Sequence, residues 1–444
     1  MTEIRIDFSR NDGVVKPMHA INNGPVGSGR SNRGNAVLFR EAGIPFMRNH
    51  DAAFCTSYGG EFTVDVHRIF PDFSLSERDP ASYHFEATDR YVKSCMETGG
   101  EVFYRLGATI EHGVKKGTYP PKNFEKWAVI CEHIIRHYTE GWADGFCYPI
   151  RYWEIWNEPD CQNADGSNPC WQGTWEEFEE FFITALRHLK GAFPHLKIGG
   201  PAFVSLAEKR FSYIAPFLKR IRKEGLNLDF FSFHRYAKEP SAMREYGLRA
   251  KKLMEEAGIF DAELILDEWN YVRGWTGDDF DESVRTIKGM KGAAFTASCM
   301  CVAQDSPLDM IMYYEGRPCV WCGLFDTDFF TPLKGYYPFV MFGRLYRMGR
   351  YVKPVYQEAP LYAIAASSEE AAGAMLCHYR EEDGAKNEKA SLILSGLSGK
   401  KTLTVSVLNE ESDLATERVI PLTGDELTLE MELPLYTCYY LQAE

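Results

Sequence analysis

Eight short apolar runs recur along the chain, each followed by a stretch with helical spacing. They are Lys16–Ile21, Ile44–His50, Glu101–Leu106, Ile150–Trp156, Leu196–Pro201, Leu228–His234, Glu263–Trp269 and Leu308–Tyr314. Most are nearly continuous in aliphatic and aromatic residues, the pattern of parallel strands covered on both faces. Thr174–Phe193 is the clearest intervening helix. Trp175, Phe178, Phe182, Ala185, Leu186 and Leu189 recur at i, i+3 and i+4, and Thr174 with Glu177 predicts a capping box. Phe124–Tyr138, Leu206–Lys223, Ala242–Ala257 and Glu282–Ala303 show weaker versions. Alternation of this kind predicts an α/β chain folded as a (β/α)8 TIM barrel over residues 16–349. A doubly wound sheet would want G-x-G-x-x-G after its first strand. Gly24-Pro-Val-Gly27-Ser-Gly29 lacks that spacing and reads as an ordinary loop.

Helical periodicity fades after Tyr351. Leu361–Ala366, Ala374–Tyr379, Ala390–Leu394, Thr402–Leu408, Glu426–Leu433 and Cys438–Leu441 read as short strands separated by turn residues. They predict an accessory β-sandwich over residues 350–444. Glu3–Phe8 reads as a further strand ahead of the barrel, so residues 1–15 are assigned to the same sandwich.

A chain of 444 residues fits one barrel plus one small domain. With 49 basic and 63 acidic residues the net charge is −14, which disfavours nucleic acid and polyanionic polysaccharide; a local basic pocket is still able to hold one acidic sugar. There is no apolar signal stretch at the start and no uninterrupted apolar run of about 18 residues. The expectation is a cytoplasmic protein with reduced thiols and no membrane partner. Homo-oligomerisation is left open. The 12 cysteines are scattered. Cys319-Val-Trp-Cys322 is a lone C-x-x-C without a second pair, so neither a metal site nor a cofactor is expected. Cys161 and Cys170 flank a loop and would pair only in an oxidising compartment.

Two strand ends carry the chemistry. Tyr152-Trp-Glu-Ile-Trp-Asn157-Glu158-Pro159 runs an apolar strand into a proline, which cannot continue the ladder. Glu158 therefore sits at the carboxyl end of strand four, the rim where such barrels keep their chemistry. Leu264-Ile-Leu-Asp267-Glu268-Trp269-Asn270 ends strand seven in the same way. Strands four and seven face each other across the barrel mouth. Two carboxylates so placed suit glycosidic bond cleavage, in which one protonates the leaving oxygen and the other attacks the anomeric carbon. Either glutamate alone reads equally as a helix cap or an arginine partner.

Glu154-Ile-Trp-Asn-Glu158-Pro resembles the acid/base motif of the retaining glycosidases of the (β/α)8 clan with glutamates on strands four and seven. Within that clan the chain is most similar to glycoside hydrolase family 39, the β-xylosidase and α-L-iduronidase family. Asp229-Phe-Phe-Ser-Phe-His234-Arg-Tyr236 is similar to its strand-six pattern, and Asp267-Glu268-Trp-Asn270 to its nucleophile motif. Two departures stand out: Asp267 replaces the usual hydroxyl residue, and Arg48-Asn-His50-Asp51 replaces the more frequent Arg-x-His-Gly. The resemblance implies Glu268 as an ionised nucleophile, with Arg48 lowering its pKa and Tyr236 donating a hydrogen bond to it. It implies Glu158 as the acid/base in a drier setting, and Asn157 on the sugar 2-hydroxyl. His50, His234 and Glu315 are candidate hydroxyl binders. Trp269, Trp321 and Tyr314 are candidate stacking faces, with core packing the competing role for each. No metal or cofactor is required.

The implied activity is retaining, exo-acting hydrolysis of a terminal sugar from a small oligosaccharide or glycoside, xylosidase-like first. Glucose-, arabinose- or uronate-directed clan members are the alternatives. A uronate carboxylate would need a cation, for which Arg30, Arg33, Arg235, Arg273 and Arg317 are candidates. The stretches Ala52–Ala87 and Cys161–Gly173 are long enough to wall a pocket for a terminal sugar. A metal-dependent hydrolase would need clustered ligands at strand tips; His50, Asp51 and His234 are available, but there is no H-x-H pair. A catalytically silent sugar-binding barrel would usually lack one glutamate, and both are present.

Overall fold

The computed structural model describes residues 2–28, 31–51, 64–384 and 386–444, without the side chains of 28 and 31–33. Eight parallel strands close a barrel in chain order: Ala20–Asn22, Phe46–Arg48, Glu101–Leu106, Tyr152–Ile155, Lys197–Phe203, Phe230–Ala237, Glu263–Tyr271 and Met310–Tyr313. Every apolar run in the sequence overlaps one of them. The first starts later than its run because Pro17 has no N–H for the ladder; Lys16 instead sends its Nζ to the carbonyls of Ser306 and Leu308, 2.8 Å from each.

Side chains facing the barrel axis recur every second residue. At the amino end they form an apolar plug of Ala20, Phe46, Phe103, Tyr152, Phe230, Ile265, Met310 and Met312. Phe103 stacks on Tyr152 at 5.3 Å, and Phe46 meets the same ring edge-on at 5.4 Å. Two residues further along most of these strands the inward position turns polar: Asn22, Arg48, Arg105, Glu154, Ser232 and Asp267, all fully buried. The barrel is thus floored by rings, with a charged layer above and the mouth at the carboxyl ends.

The outer helices follow the sequence pattern with one correction. Trp175–Ala192 carries the predicted capping box, and Phe124–Thr139 and Ala242–Glu256 form as expected. Glu282–Ala303 is not one helix but parts of two, Gly277–Thr286 and Met290–Gln304. The chain doubles back between them so tightly that a Cβ on Gly292 would lie 2.4 Å from the Thr286 carbonyl oxygen. Glu86–Met96 escapes the sequence pattern because its buried face is Thr88, Val92 and Cys95, a weak apolar signal.

Apart from a two-stranded ribbon of Gly27–Ser28 with Ser31–Gly34, the remaining strands form two sheets. Thr2–Asp7, Glu388–Ser395 and Leu427–Leu433 make one, with the amino-terminal strand parallel to Glu388–Ser395. Seven strands make the other, in the order Asp413–Pro421, Thr402–Leu408, Cys438–Ala443, Ala372–His378, Leu361–Ser367, Arg350–Val352 and Gly13–Val14. Ile4, Ile6, Leu392, Leu394, Val405 and Leu441 pack between them. Asp413–Pro421 shows no apolar alternation because it is an edge strand with mostly exposed side chains. The other face of the larger sheet shares the barrel's core through Met375, Cys377 and Tyr440, and Cys377 Sγ reaches the Ala294 carbonyl at 3.3 Å. Among the described residues no helix is long and apolar enough to cross a membrane.

Thr174→Ala removes a cap that satisfies a free backbone N–H. It should lower the unfolding free energy by about 1 kcal/mol in chemical denaturation; an unchanged midpoint would show that the box adds nothing.

Candidate active site

The chain leaves strand four through a contorted segment. Trp156 and Glu158 both have left-handed backbone, at φ 75° and 48°, which side-chain-bearing residues rarely adopt. Their N–H groups still bond across to the neighbouring strands, Trp156 to Leu106 O at 2.7 Å and Glu158 to Ala202 O at 3.0 Å. Trp156 turns its indole to the Cys170 carbonyl, 3.0 Å away. In consequence the successive residues Asn157 and Glu158 both reach the mouth.

Strand seven achieves the same by a bulge. Phe233 pairs with Leu266 but His234 pairs with Glu268, leaving Asp267 as the extra residue. Asp267 and Glu268 therefore both reach Arg48, at 3.2 and 2.8 Å. Arg48 also donates to Glu154 Oε2 at 2.7 Å, Asn157 Oδ1 at 2.6 Å and Asn22 Oδ1 at 3.0 Å. Ser232 Oγ donates to the other oxygen of Glu154 at 2.6 Å, and Tyr236 Oη donates to Glu268 Oε2 at 2.8 Å.

His234 lies between the two glutamates. Its Nδ1 is 2.8 Å from Glu158 Oε1 and 3.4 Å from Glu268 Oε2, and its Nε2 is 3.6 Å from Asp267 Oδ1. One ligating atom from each of Glu158, His234 and Glu268 lies within 4.8 Å of the others.

Residues 54–259 match the model of glycosyl hydrolases family 39. The chain is 27% identical to a beta-xylosidase of Caldicellulosiruptor saccharolyticus, over 43% of this chain and 41% of that protein. It is also 27% identical to a beta-xylosidase of Geobacillus stearothermophilus, over 53% of this chain and 44% of the relative. The matched region thus spans less than half the length of each of these curated relatives. The barrel region thus resembles the family 39 glycosyl hydrolases. A glucosidase structure from Croceicoccus marinus superposes with TM-score 0.81 at 19% identity, over 100% of this chain and 99% of that one. The shared architecture therefore includes the second domain.

The electrostatics of the site differ in part from the sequence expectation. Burial raises the Glu268 carboxyl to about 7; the cations His234 and Arg48 pull it down without prevailing, and Glu158 and Asp267 push it further up. Arg48 does lower it, as the sequence implied, but burial outweighs that pull. The reason is that Arg48 spreads one charge over Glu154, Asp267 and Glu268. The burial order is also reversed, with Glu268 buried and Glu158 half-buried. Burial opposes charge on His234, yet Glu268, Asp267 and Glu158 hold it well above its ordinary value. An imidazolium has no lone pair for a metal, so an ion at Glu158, His234 and Glu268 would first have to displace the His234 proton. Burial raises Glu154 to about 8, with Arg48 opposing and Asp267 adding. Asp267 stays below the usual range because Arg48 and His234 outweigh burial.

The remaining candidates divide. His50 is buried, with Nε2 3.7 Å from Glu268 Oε1 and Nδ1 without a partner among the described residues; burial keeps it neutral. His234 binds carboxylates in the structure, not the open mouth where a sugar hydroxyl would lie. Asn157 commits its oxygen to Arg48 and leaves its amide nitrogen to donate. Trp269 is a correction: it is fully buried, edge-on to Tyr313 at 5.4 Å, and packs in the core. Trp321 is half-buried, 6.4 Å from the Tyr236 ring and 5.6 Å from Trp275. Tyr314 spends its hydroxyl on Asp51 Oδ2 at 2.8 Å. Glu315 is buried and accepts from Asn23, from Arg317 at 2.9 Å and from Cys319 Sγ at 3.0 Å. Its own partners leave it facing them, not free for a hydroxyl. Asp229 lies at the opposite end of strand six, bound to Lys190 and the Ile198 N–H.

Of the candidate cations, Arg317 pairs with Glu315 and Asp51. Arg273 lies near Asp279 and Glu381, and Arg235 stacks over Tyr246 at 4.5 Å. Arg30, the Arg33 side chain and residues 52–63 of the Ala52–Ala87 stretch lie outside the described residues. Sequence reasoning missed Glu154, Asn22, Ser232 and Trp275. The first three sit two residues inward of the apolar plug, a period-two signal that was there to read. Trp275, 58% exposed and 5.0 Å from the Tyr236 ring, carries no such signal.

Arg48→Met strips the cation from three buried carboxylates. It should lower the unfolding free energy by roughly 3–5 kcal/mol, read by denaturant titration; a loss under about 1 kcal/mol would show that the layer does not need the charge.

Proposed function

We propose that the protein is a retaining, exo-acting glycosidase, xylosidase-like, that removes a terminal sugar by double displacement. Residues 16–349 then form the catalytic unit, and 1–15 with 350–444 its accessory sandwich. The observation that carries the reading is the strand-four and strand-seven glutamate pair with oxygens within 4.8 Å. Retaining pairs lie about 5 to 5.5 Å apart and inverting pairs about 6.5 Å or more.

Glu268 attacks the anomeric carbon while Glu158 protonates the leaving oxygen. The glycosyl ester on Glu268 is then hydrolysed by a water that Glu158 deprotonates. Coupling helps. The negative charge of Glu158 is one reason Glu268 holds its proton, so protonating Glu158 favours ionisation of Glu268, which is the productive distribution. Arg48 and Tyr236 hold both Glu268 oxygens in place. Asn157 donates its amide to the 2-hydroxyl, and the free nitrogen of His50 serves a neighbouring hydroxyl. Trp321 and Trp275 flank the sugar with Tyr236.

Two curated relatives named beta-xylosidase support xylose. Of the candidate cations, Arg235, Arg273 and Arg317 each have acidic or aromatic partners, which counts against a uronate. The solved structure named a glucosidase makes β-glucoside the second reading.

Nitrophenyl β-xyloside, β-glucoside, α-L-arabinosides and α-L-iduronide should separate these, with the xyloside turned over best. Glu268→Ala should lose roughly 10³-fold or more in kcat, and added azide should yield a glycosyl azide of inverted configuration. Undiminished turnover in that variant, or an inverted wild-type product by NMR, would overturn the reading. A panel without turnover would favour a silent sugar-binding barrel.

The pH profile follows from the same charges. Glu268 must be ionised to attack, so kcat/KM on an activated aryl glycoside should rise with pH through about 7. Glu158→Gln removes a negative neighbour and should move that limb to lower pH. A limb that stays put or moves up contradicts the coupling.

A further inference from the structure

The loop after strand four places two thiols beside Glu158. Cys161 Sγ, Cys170 Sγ and a Glu158 carboxylate oxygen lie within 4.8 Å of one another, with Cys170 Sγ 4.0 Å from Glu158 Oε2. The three positions are held independently of any ion. Cys161 N–H closes a turn onto the Glu158 carbonyl at 3.0 Å. Asp160, inside that turn, is fastened to Val204 N at 3.0 Å and to Arg210. The Cys170 N–H bonds Asn168 Oδ1 at 2.8 Å, Asn168 Nδ2 bonds the Pro159 carbonyl at 2.7 Å, and the Cys170 carbonyl receives the Trp156 indole. Both ends of the loop are therefore pinned to the strand-four turn, and the sulfurs converge without the loop having to reorganise. Cys170 is buried and Cys161 half-buried. Cys161 also lines a cavity of about 510 Å³ with Pro159, Gln162, Trp171 and Arg210, which opens a path to the sulfur.

We infer that Cys161, Cys170 and Glu158 form a binding site for a thiophilic divalent cation of the zinc and cadmium class. Two thiolates and one carboxylate supply three ligands of the kind such ions prefer, and the solvent side leaves a fourth position for water. The balance is simple: the ion displaces two thiol protons, the carboxylate binds as it is, and no electrons move. Binding ties up the carboxylate that the proposed reaction needs for proton transfer, so the bound ion inhibits hydrolysis. That inhibitory half rests on Glu158 as acid/base; the binding half does not.

The test uses Cd²⁺ with the full-length chain carrying Cys55→Ser and Cys147→Ser, which removes an exposed thiol at 147 and the one at 55. Under a non-thiol reductant, one equivalent of Cd²⁺ should raise ultraviolet thiolate-to-metal charge-transfer absorbance, reversed by EDTA. Adding Cys161→Ser or Cys170→Ser should weaken that binding by about 100-fold or more. Cys161 is half-buried, so its variant keeps the test valid if Cys170→Ser fails to fold by circular dichroism. Absorbance that never appears, or that persists unchanged in Cys161→Ser, overturns the site. Glycoside turnover read in the same titration should fall with occupancy and recover with EDTA. Full occupancy with undiminished turnover would uphold the site and remove Glu158 from catalysis.

Discussion

A guanidinium taken wholly out of water must find, inside the protein, enough oxygen to replace its hydration. Arg48 does so with Glu154, Asp267, Glu268, Asn157 and Asn22. Those five residues belong to the ends of strands one, four and seven, so Arg48, itself on strand two, fixes the relative height of four strand ends. The apolar plug beneath supplies the floor against which the layer closes. The arrangement costs solvation, and its return is geometric: the nucleophile candidate and the residue next to the acid/base candidate are fastened to one rigid planar group.

The strand ends then break their own period to serve that layer. Left-handed residues at 156 and 158, and the bulge at Asp267, each allow two consecutive side chains to point inward where alternation would permit one. Both departures sit within hydrogen-bond reach of Arg48 or His234. The imidazolium of His234 is the second cation of the site. It answers Asp267, the residue that stands where related motifs carry a hydroxyl, and it bridges the glutamates. Asp51, the other departure, is used differently: with Tyr314, Asn23 and Arg317 it ties the end of strand two to the segment after strand eight.

The barrel was legible because a strand buried on both faces is an apolar run whatever its neighbours do. The edge strand Asp413–Pro421 was not, since its side chains face water and nothing in the local pattern distinguishes it from a loop. The two glutamates were legible because proline and the apolar-to-polar switch mark where a strand stops. Their charge states were not: the sequence shows Arg48 near Glu268, but only the structure shows that Glu154 and Asp267 claim the same guanidinium. Trp269 misled for a related reason. It follows the nucleophile candidate directly, yet ordinary strand alternation sends the two side chains in different directions, one to the mouth and one to Tyr313 and Phe295.

The central claim is that Glu268, held by Arg48 and Tyr236, forms the covalent bond to the sugar. Incubation with a 2-deoxy-2-fluoro xyloside carrying a dinitrophenyl leaving group slows both steps and lets the ester accumulate. Mass spectrometry of the digested protein should then show the added glycosyl mass on the peptide containing Glu268 and on no other. The adduct on Glu158 or Glu154, or normal release of dinitrophenol with no adduct at any stage, would contradict the account.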